Sequence, residues 1–317
     1  MKLDRTSMLY GTLVLTLTSI VSQFLGFVYR IFLSRLIGAE VMGLYQLIMP
    51  VFSVLLSLTA VGLTAAVSNL SSQYHAMGRP AVIGQVLRRC LACFLLLFAA
   101  VAAVVVLLYD PISVYLLGDA RTQLGLLLLL PCVLLTGVEN LHKHYFYGTG
   151  SIRPPAAVEL CEQFIRTGAV LGLLVLFLPQ NPERTVGLIV LGMITCEVFS
   201  AVTLFFLTRR QLSRAGSREE GRHLNRRIAS IAVPIGLTSL LGNLMGSATS
   251  VLIPQRLVHA GAQVSEAMEA FGVLCGMTLP MLALPTVFLS AMSLVLVPRL
   301  ARACALNRPQ EIQRLAG

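Results

Sequence analysis

Glu159, Glu162 and Arg166 are spaced i, i+3 and i+7, so a helix through them carries two carboxylates and a guanidinium on one face, with Gln163 beside them. They stand in an apolar run, and an ionisable group at membrane depth is costly enough to need a partner or a cavity. Glu197 lies in the next apolar run. Counted at about 1.5 Å per residue from the ends of two antiparallel helices, its depth matches that of Arg166. An Arg166–Glu197 pair is expected, and two readings fit it. One is a structural ion pair locking two helices; the other is a coupling or gating role for Glu159, Glu162, Arg166 and Glu197.

A second group is cationic and amide-bearing. Gln23 and Arg30 are two turns apart and share a face, with Gly26 and Phe27 between them. Arg30 and Arg35 close the first apolar run, where long side chains can snorkel to the surface or an arginine fork can meet the phosphate oxygens of an anionic head group. Gln46, Pro50, Ser53 and Ser57 mark a polar face on the second run, and Ser239, Asn243, Ser247 and Ser250 mark one on the seventh, which ends near Arg256. These faces either pack against neighbours or line one water-filled cleft. Gly242, Gly246 and Ser250 also form a small-residue stripe suited to close helix approach. The substrate-binding candidates are Gln23, Arg30, Arg35, Gln46, Asn243 and Arg256.

The elements that must hold these groups are membrane helices. Of 317 residues, 56% are apolar and only 12% charged, against about 45–50% and 25% in soluble domains, and the mean hydropathy is +0.81. A soluble enzyme and a disordered chain are both excluded. Apolar runs predict eight spans: Met8–Arg30, Val41–Leu70, Leu87–Leu108, Leu124–Leu141, Pro155–Leu178, Val186–Leu207, Ile228–Leu252 and Phe271–Leu300. Each is too long for a barrel strand, so the fold class is all-α, a polytopic membrane helix bundle. Lys2 and Arg5 precede a stretch longer than the roughly 7–15 residues of a signal h-region, so a retained first helix is expected.

With the N-terminus inside, only Arg30, Arg35, Arg121, Arg184 and Arg256 fall outside, and Arg166 lies within a span; every other Lys and Arg is inside. The positive-inside rule then makes both termini cytoplasmic. The net charge of +10 follows from that topology and from anionic inner-leaflet lipid. The basic run Arg209–Arg227 lacks interleaved aromatics, so no nucleic acid partner is expected. Cys90, Cys93, Cys132, Cys161, Cys196, Cys275 and Cys304 read as small packing residues, since no second ligand pair accompanies Cys90 and Cys93. His142 and His144 read as solvated residues at the membrane surface. No metal and no cofactor are expected.

Pro50, Pro131, Pro234, Pro280 and Pro285 interrupt five of the helices, as in helices that rock or line cavities. A weak internal echo links Ser34–Ala39 and Gly43 before Pro50 with Gln255–Gly261 and Gly272 before Pro280. It divides the chain into a six-helix lobe with a basic linker, residues 1–227, and the start of a second lobe, residues 228–317.

Several segments in this order resemble one family: Ser22–Arg30 leading to Ser34–Ala39, Gly43–Gln46, Tyr145–Gly148, Glu162–Arg166, Ile253–Leu257 and Leu296–Leu300. The chain resembles the polysaccharide exporter and stage V sporulation protein B group of the multidrug/oligosaccharidyl-lipid/polysaccharide (MOP) superfamily, relatives of the lipid II flippase. The resemblance implies a MATE-like fold, with a six-helix N-terminal lobe plus the first two helices of a second. Family members have twelve to fourteen helices around a central cavity, so the rest of the second lobe is expected beyond this chain. The pattern departs at Gln23, where the family often has arginine, and in the eighth helix, where Pro280 and apolar neighbours replace a cavity arginine.

The resemblance further implies a flippase or exporter in the bacterial cytoplasmic membrane, moving an undecaprenyl-linked glycan or peptidoglycan precursor by alternating access. Arg30 and Arg35 would engage pyrophosphate, a proton or sodium ion would be the coupling ion, and enzymes of cell-wall or polysaccharide synthesis would be partners. A proton- or sodium-coupled drug antiporter is the alternative, and a membrane glycosyltransferase or scaffold a third. No nucleophile–base pair, phosphate loop or metal cluster is present to support an enzyme.

Overall fold

The computed structural model describes residues 8–177, 181–212 and 223–283, with side-chain surroundings from Leu17 onward. Leu178, Pro285, the Leu296–Leu300 segment, Cys304 and the arginines between 213 and 222 and after 283 lie outside the described residues.

Apart from short turns the described residues are helical, because apolar backbone in a bilayer has no other partner for its N–H and C=O groups. A continuous stretch Met8–Leu56 is broken at Gly38, whose φ of 77° and ψ of 176° are not helical. Glycine pays no Cβ penalty there. The stretch therefore folds into two arms, α1 (residues 8–37) and α2 (residues 39–76). A π-helical turn at Ser57–Val61 lies within α2, seven residues after Pro50.

Then come α3 (Pro80–Leu116), α4 (Ala120–Gly148), α5 (Arg153–Phe177), α6 (Pro182–Leu212) and α7 (Leu224–His259). In α3, Leu108 departs from helical geometry (φ −115°, ψ 16°) just before Pro111, whose ring clashes with the preceding turn. The last described element is α8, residues 264–282, which includes a π-helical turn at Gly272–Thr278.

Among the described residues six stretches are long and apolar enough to cross a membrane, and the first, Ile20–Ala76, runs through the bend at Gly38. This revises the expected eight separate spans. The first two are joined by one glycine, because Ile31–Ile37 continues the helix where a loop is expected. The eighth is described only through Ala283.

α6 packs along α4 and α5, α2 packs against α4 and α7, and α8 packs on α2. One apolar core gathers Leu70, Ile83, Phe94, Phe146 and Leu224 from α2, α3, α4 and α7. A second gathers Leu44, Ile48, Leu126, Val190 and Phe271 from α2, α4, α6 and α8. Small residues set the closest crossings. A Cβ on Gly43 would strike the Met268 carbonyl, one on Gly272 the Ala39 carbonyl, and one on Gly62 the Ala232 carbonyl. By contrast, a Cβ added at Gly242 or Gly246 would meet nothing within 4 Å. A side chain at either of these glycines of the expected small-residue stripe thus has open space around it, and α7 approaches α2 most closely through Gly236 and its neighbours.

Candidate functional site

Two polar assemblies occupy the bundle, and Arg166 of α5 belongs to both. The first is a buried charge network between α4, α5 and α6. Arg166 Nη2 donates to Glu162 Oε1 one turn earlier on its own helix and lies 3.4 Å from Glu197 Oε1 on α6. Its Nε donates to Cys196 Sγ at 3.4 Å, and its Nη1 to Gln163 Oε1 at 3.5 Å. Ser200 Oγ donates to Glu162 Oε2 at 3.3 Å. The expected Arg166–Glu197 pair is therefore formed, and Glu162 joins it. Glu159 is half-buried on the same face of α5, within electrostatic reach of Lys143.

Sequence reasoning missed Glu139 and Lys143 of α4. They form an i, i+4 pair, Lys143 Nζ to Glu139 Oε1 at 2.8 Å, with the Glu139 side chain 2% exposed. Glu139 is in turn within electrostatic reach of Glu162 and Glu197. The expected fourth span stops at Leu141, which left Lys143 as a loop cation; α4 actually runs to Gly148. Prolonging the span by one turn would have revealed the pair.

The same extension corrects His142. It is 2% exposed, its Nδ1 lies 2.7 Å from the Val138 carbonyl, and it packs edge-on against Phe205, so it is buried rather than solvated at the surface. Cys196 is likewise more than a packing residue. Its Sγ and the carboxylates of Glu162 and Glu197 lie within 4.8 Å of one another. Glu197 is 3% exposed, and its Oε2 has no hydrogen-bond partner among the described residues.

The second assembly is a cavity of about 670 Å³ between α1, α2, α5 and α8. Arg30, Gln23, Gln163 and Arg166 supply its polar wall, and Tyr29, Tyr45, Phe24 and Phe164 its aromatic wall, with Pro280 and Ala283 of α8 at one side. Gly26 makes room for the amide of Gln163, since a Cβ there would come within 3.0 Å of Nε2. Tyr29 Oη is buried with no hydrogen-bond partner among the described residues. No Asp or Glu is among the lining residues, so the wall is cationic. The continuous helix through Ile37 sets Arg30 two turns before the Gly38 bend, not at the end of its span, and thus against this cavity.

The remaining candidates lie elsewhere. Arg35 is exposed just before the bend, and Arg256 is exposed in the last turn of α7. The polar faces of α2 and α7 meet each other: Asn243 Nδ2 donates to Ser57 Oγ, and Ser247 Oγ donates to the Pro50 carbonyl at 3.2 Å. Gln46 reaches the Cys275 carbonyl of α8 at 3.5 Å. In this conformation those amides and hydroxyls stitch helices together rather than line the cavity. At the end of the bundle that holds Gly38, Arg121 Nη1 meets Glu40 at 2.7 Å while its Nη2 and Nε grip Asp119 at 2.7 and 3.1 Å. Gln255 of α7 donates to the Leu116 carbonyl beside this clasp at 3.2 Å.

A bent first stretch, paired antiparallel helices and a polar cavity among them make this a polytopic helix bundle of membrane type. The likeness is to solved transporters. One solved structure, titled the inward-facing conformation of a multidrug resistance MATE family transporter of the MOP superfamily, matches with TM-score 0.65 and 14% identity, over 92% of this chain and 64% of that one. A MOP superfamily transporter from Pyrococcus furiosus matches with TM-score 0.59 and 14% identity, over 96% of this chain and 73% of that one. At such identities the likeness is one of fold.

The chain belongs to the polysaccharide biosynthesis protein family, whose pattern matches residues 8–304. Stage V sporulation protein B of Bacillus subtilis (strain 168) is 26% identical over 98% of this chain and 61% of its own length. Lipid II flippase MurJ of the same organism is 25% identical over 51% of this chain and 31% of its own length. The chain thus spans under two thirds of these relatives.

Proposed function

We propose that this chain forms the substrate-binding part of a flippase or exporter that moves an undecaprenyl-linked glycan or peptidoglycan precursor across the bacterial cytoplasmic membrane by alternating access, with both termini cytoplasmic. The observation that carries the reading is the cavity beside α1. It lies between apolar helices, yet its charged lining residues are Arg30 and Arg166, with no carboxylate among them. Such a wall suits a pyrophosphate, whose oxygens match an arginine fork, while Phe24, Phe164 and the two tyrosines suit sugar and isoprenoid surfaces. Arg35 and Arg256 lie outside the cavity and serve as approach or exit cations. Gln46 and Asn243 become available to substrate when α7 and α8 part from α2.

Coupling belongs to the network behind Arg166. Among the described residues Glu139, Glu162 and Glu197 share Lys143 and Arg166 as cations, with Glu159 also near Lys143, so full ionisation leaves an excess of negative charge at membrane depth, a costly state. A proton or a sodium ion taken up there, held by Glu197 together with its neighbouring carboxylates, relieves it. Arg166 then links ion occupancy to the cavity wall. This surplus of carboxylate also favours the second reading, a proton- or sodium-coupled drug or cation antiporter of the same fold.

The test is transport of a labelled undecaprenyl-linked precursor in vesicles containing the complete protein. Wild type should move it, Arg30→Gln should cut the rate by about tenfold or more, as loss of a charge-assisted contact predicts, and Arg30→Lys should restore part of it. Movement of organic cations but not of the precursor would replace the flippase with the antiporter.

A further inference from the structure

A second cavity, of about 700 Å³, lies between α2, α3 and α7, away from Arg30 and the charge network. Its floor is open because its walls are made of small side chains: Ala92 on α3, Gly62 on α2, and Ala229, Ala232 and Gly236 on α7. Larger apolar residues, Leu58, Leu97, Leu237 and Leu240 among them, form the sides. From Asn225 to Leu240 the groove follows α7 for fifteen residues, roughly 22 Å. One leaflet of hydrocarbon is about 15 Å deep, half of the roughly 30 Å core, so the groove is long enough for a full acyl chain.

Its mouth is basic. Arg89 of α3 is exposed and donates from Nη1 to Asn225 Oδ1 of α7 at 2.9 Å. Arg88 and Arg226 are exposed at the same end. No Asp or Glu occurs between Ser57 and Leu108 or between His223 and Ser265, the stretches that supply every wall. An apolar slot ending at arginines that meet no carboxylate among the described residues is complementary to one kind of bilayer molecule, a glycerophospholipid with an anionic phosphate head, and basic pockets between helices are where such heads settle.

We infer that this groove holds one anionic phospholipid, with an acyl chain between α3 and α7 and its phosphate on Arg89. The lipid bridges the first six helices and α7. Because Arg89 already reaches Asn225, the phosphate competes with that amide for the guanidinium, and the lipid takes over a contact between the two helices rather than adding to an empty surface. The inference does not depend on what the transporter carries.

The experiment is native mass spectrometry of the detergent-purified chain after exchange into mixed micelles of phosphatidylglycerol and phosphatidylcholine. Wild type should retain one phosphatidylglycerol in preference to phosphatidylcholine. Arg89→Gln should lower that preference by about tenfold, and Ala229→Phe, which fills the slot, should abolish retention of either lipid. Asn225→Ala frees Arg89 and should keep or raise phosphatidylglycerol retention; a purely structural Arg89–Asn225 bond would make both substitutions behave alike. Each variant is scored only with a wild-type gel-filtration profile, and if Arg89→Gln does not fold, the Ala229→Phe and Asn225→Ala pair decides. Equal retention of both lipids, retention unchanged by Arg89→Gln and Ala229→Phe, or loss of retention in Asn225→Ala overturns the inference, as does cross-linking of Cys93 in the groove to another segment of the protein itself.

Discussion

Arg166 is the residue on which the polar interior turns, because it is held by two carboxylates, a thiol and an amide while still bordering the cavity. Removing its charge leaves Glu162 and Glu197 buried without a cation, the situation in which a broken ion pair costs most. Arg166→Gln should destabilise the protein by about 3 kcal/mol or more, read as a clear fall in the thermal midpoint in detergent. Glu197→Gln removes the surplus charge with an isosteric amide, so it should leave the midpoint unchanged or raise it, yet abolish dependence of transport on the proton or sodium gradient. If both variants melt alike, the surplus-carboxylate argument fails. Glu159, Glu162 and Arg166 were legible in the sequence because helical spacing puts them on one face, and Glu197 because its depth along the next apolar run matches that of Arg166. The Glu139–Lys143 pair was hidden because hydropathy ends the span at Leu141, between the two residues, whereas a buried salt bridge lets the helix continue within the protein.

Helix crossings place these residues, and at the crossings glycine is decisive. Gly43 and Gly272 sit where α2 and α8 approach through backbone atoms, and a π-helical turn starts at Gly272 itself. Gly43→Leu or Gly272→Leu should force the helices apart and cost several kcal/mol, above the about 1–3 kcal/mol usual for overpacking, because backbone cannot yield as a side chain does. Gly168→Leu on α5, with nothing within 4 Å of an added Cβ, should leave folding intact. Thermal melting of the three variants checks the contrast. The clasp of Arg121 on Glu40 and Asp119 is partly exposed, so Arg121→Ala should cost only about 1 kcal/mol, while raising proteolysis at the α3–α4 corner. The internal echo between Gly43 and Gly272 was legible as a pattern. That the two glycines meet across one crossing was not, since spacing says nothing about which helices touch.

For the molecule as a whole, alternation of the chain through the bilayer puts the 76–80, 148–153 and 212–224 connections at one end and the Gly38, 116–120 and 259–264 connections at the other. We propose from the excess of arginine at the first end that this end is the cytoplasmic one, as the positive-inside rule suggests. A cysteine at Ser151 should therefore react with a membrane-impermeant maleimide only from the inside, and one at Asn181 only from the outside, in a background with Cys93 and Cys161 replaced. The reverse pattern would invert the proposed topology and with it the direction of transport.

By itself the sequence determined that the chain is all-α and crosses the membrane repeatedly, because a backbone in hydrocarbon must satisfy its own hydrogen bonds and apolar length is written residue by residue. It also determined which charges share a helix face. Only the tertiary structure decided that Arg30 and Arg166 meet at one cavity, that Asn243 and Ser57 bind each other, and that Glu139 completes the charge network. Those relations depend on how helices far apart in the chain pack and cross, and that is set by volume and close approach at particular side chains, which no single helix's periodicity contains.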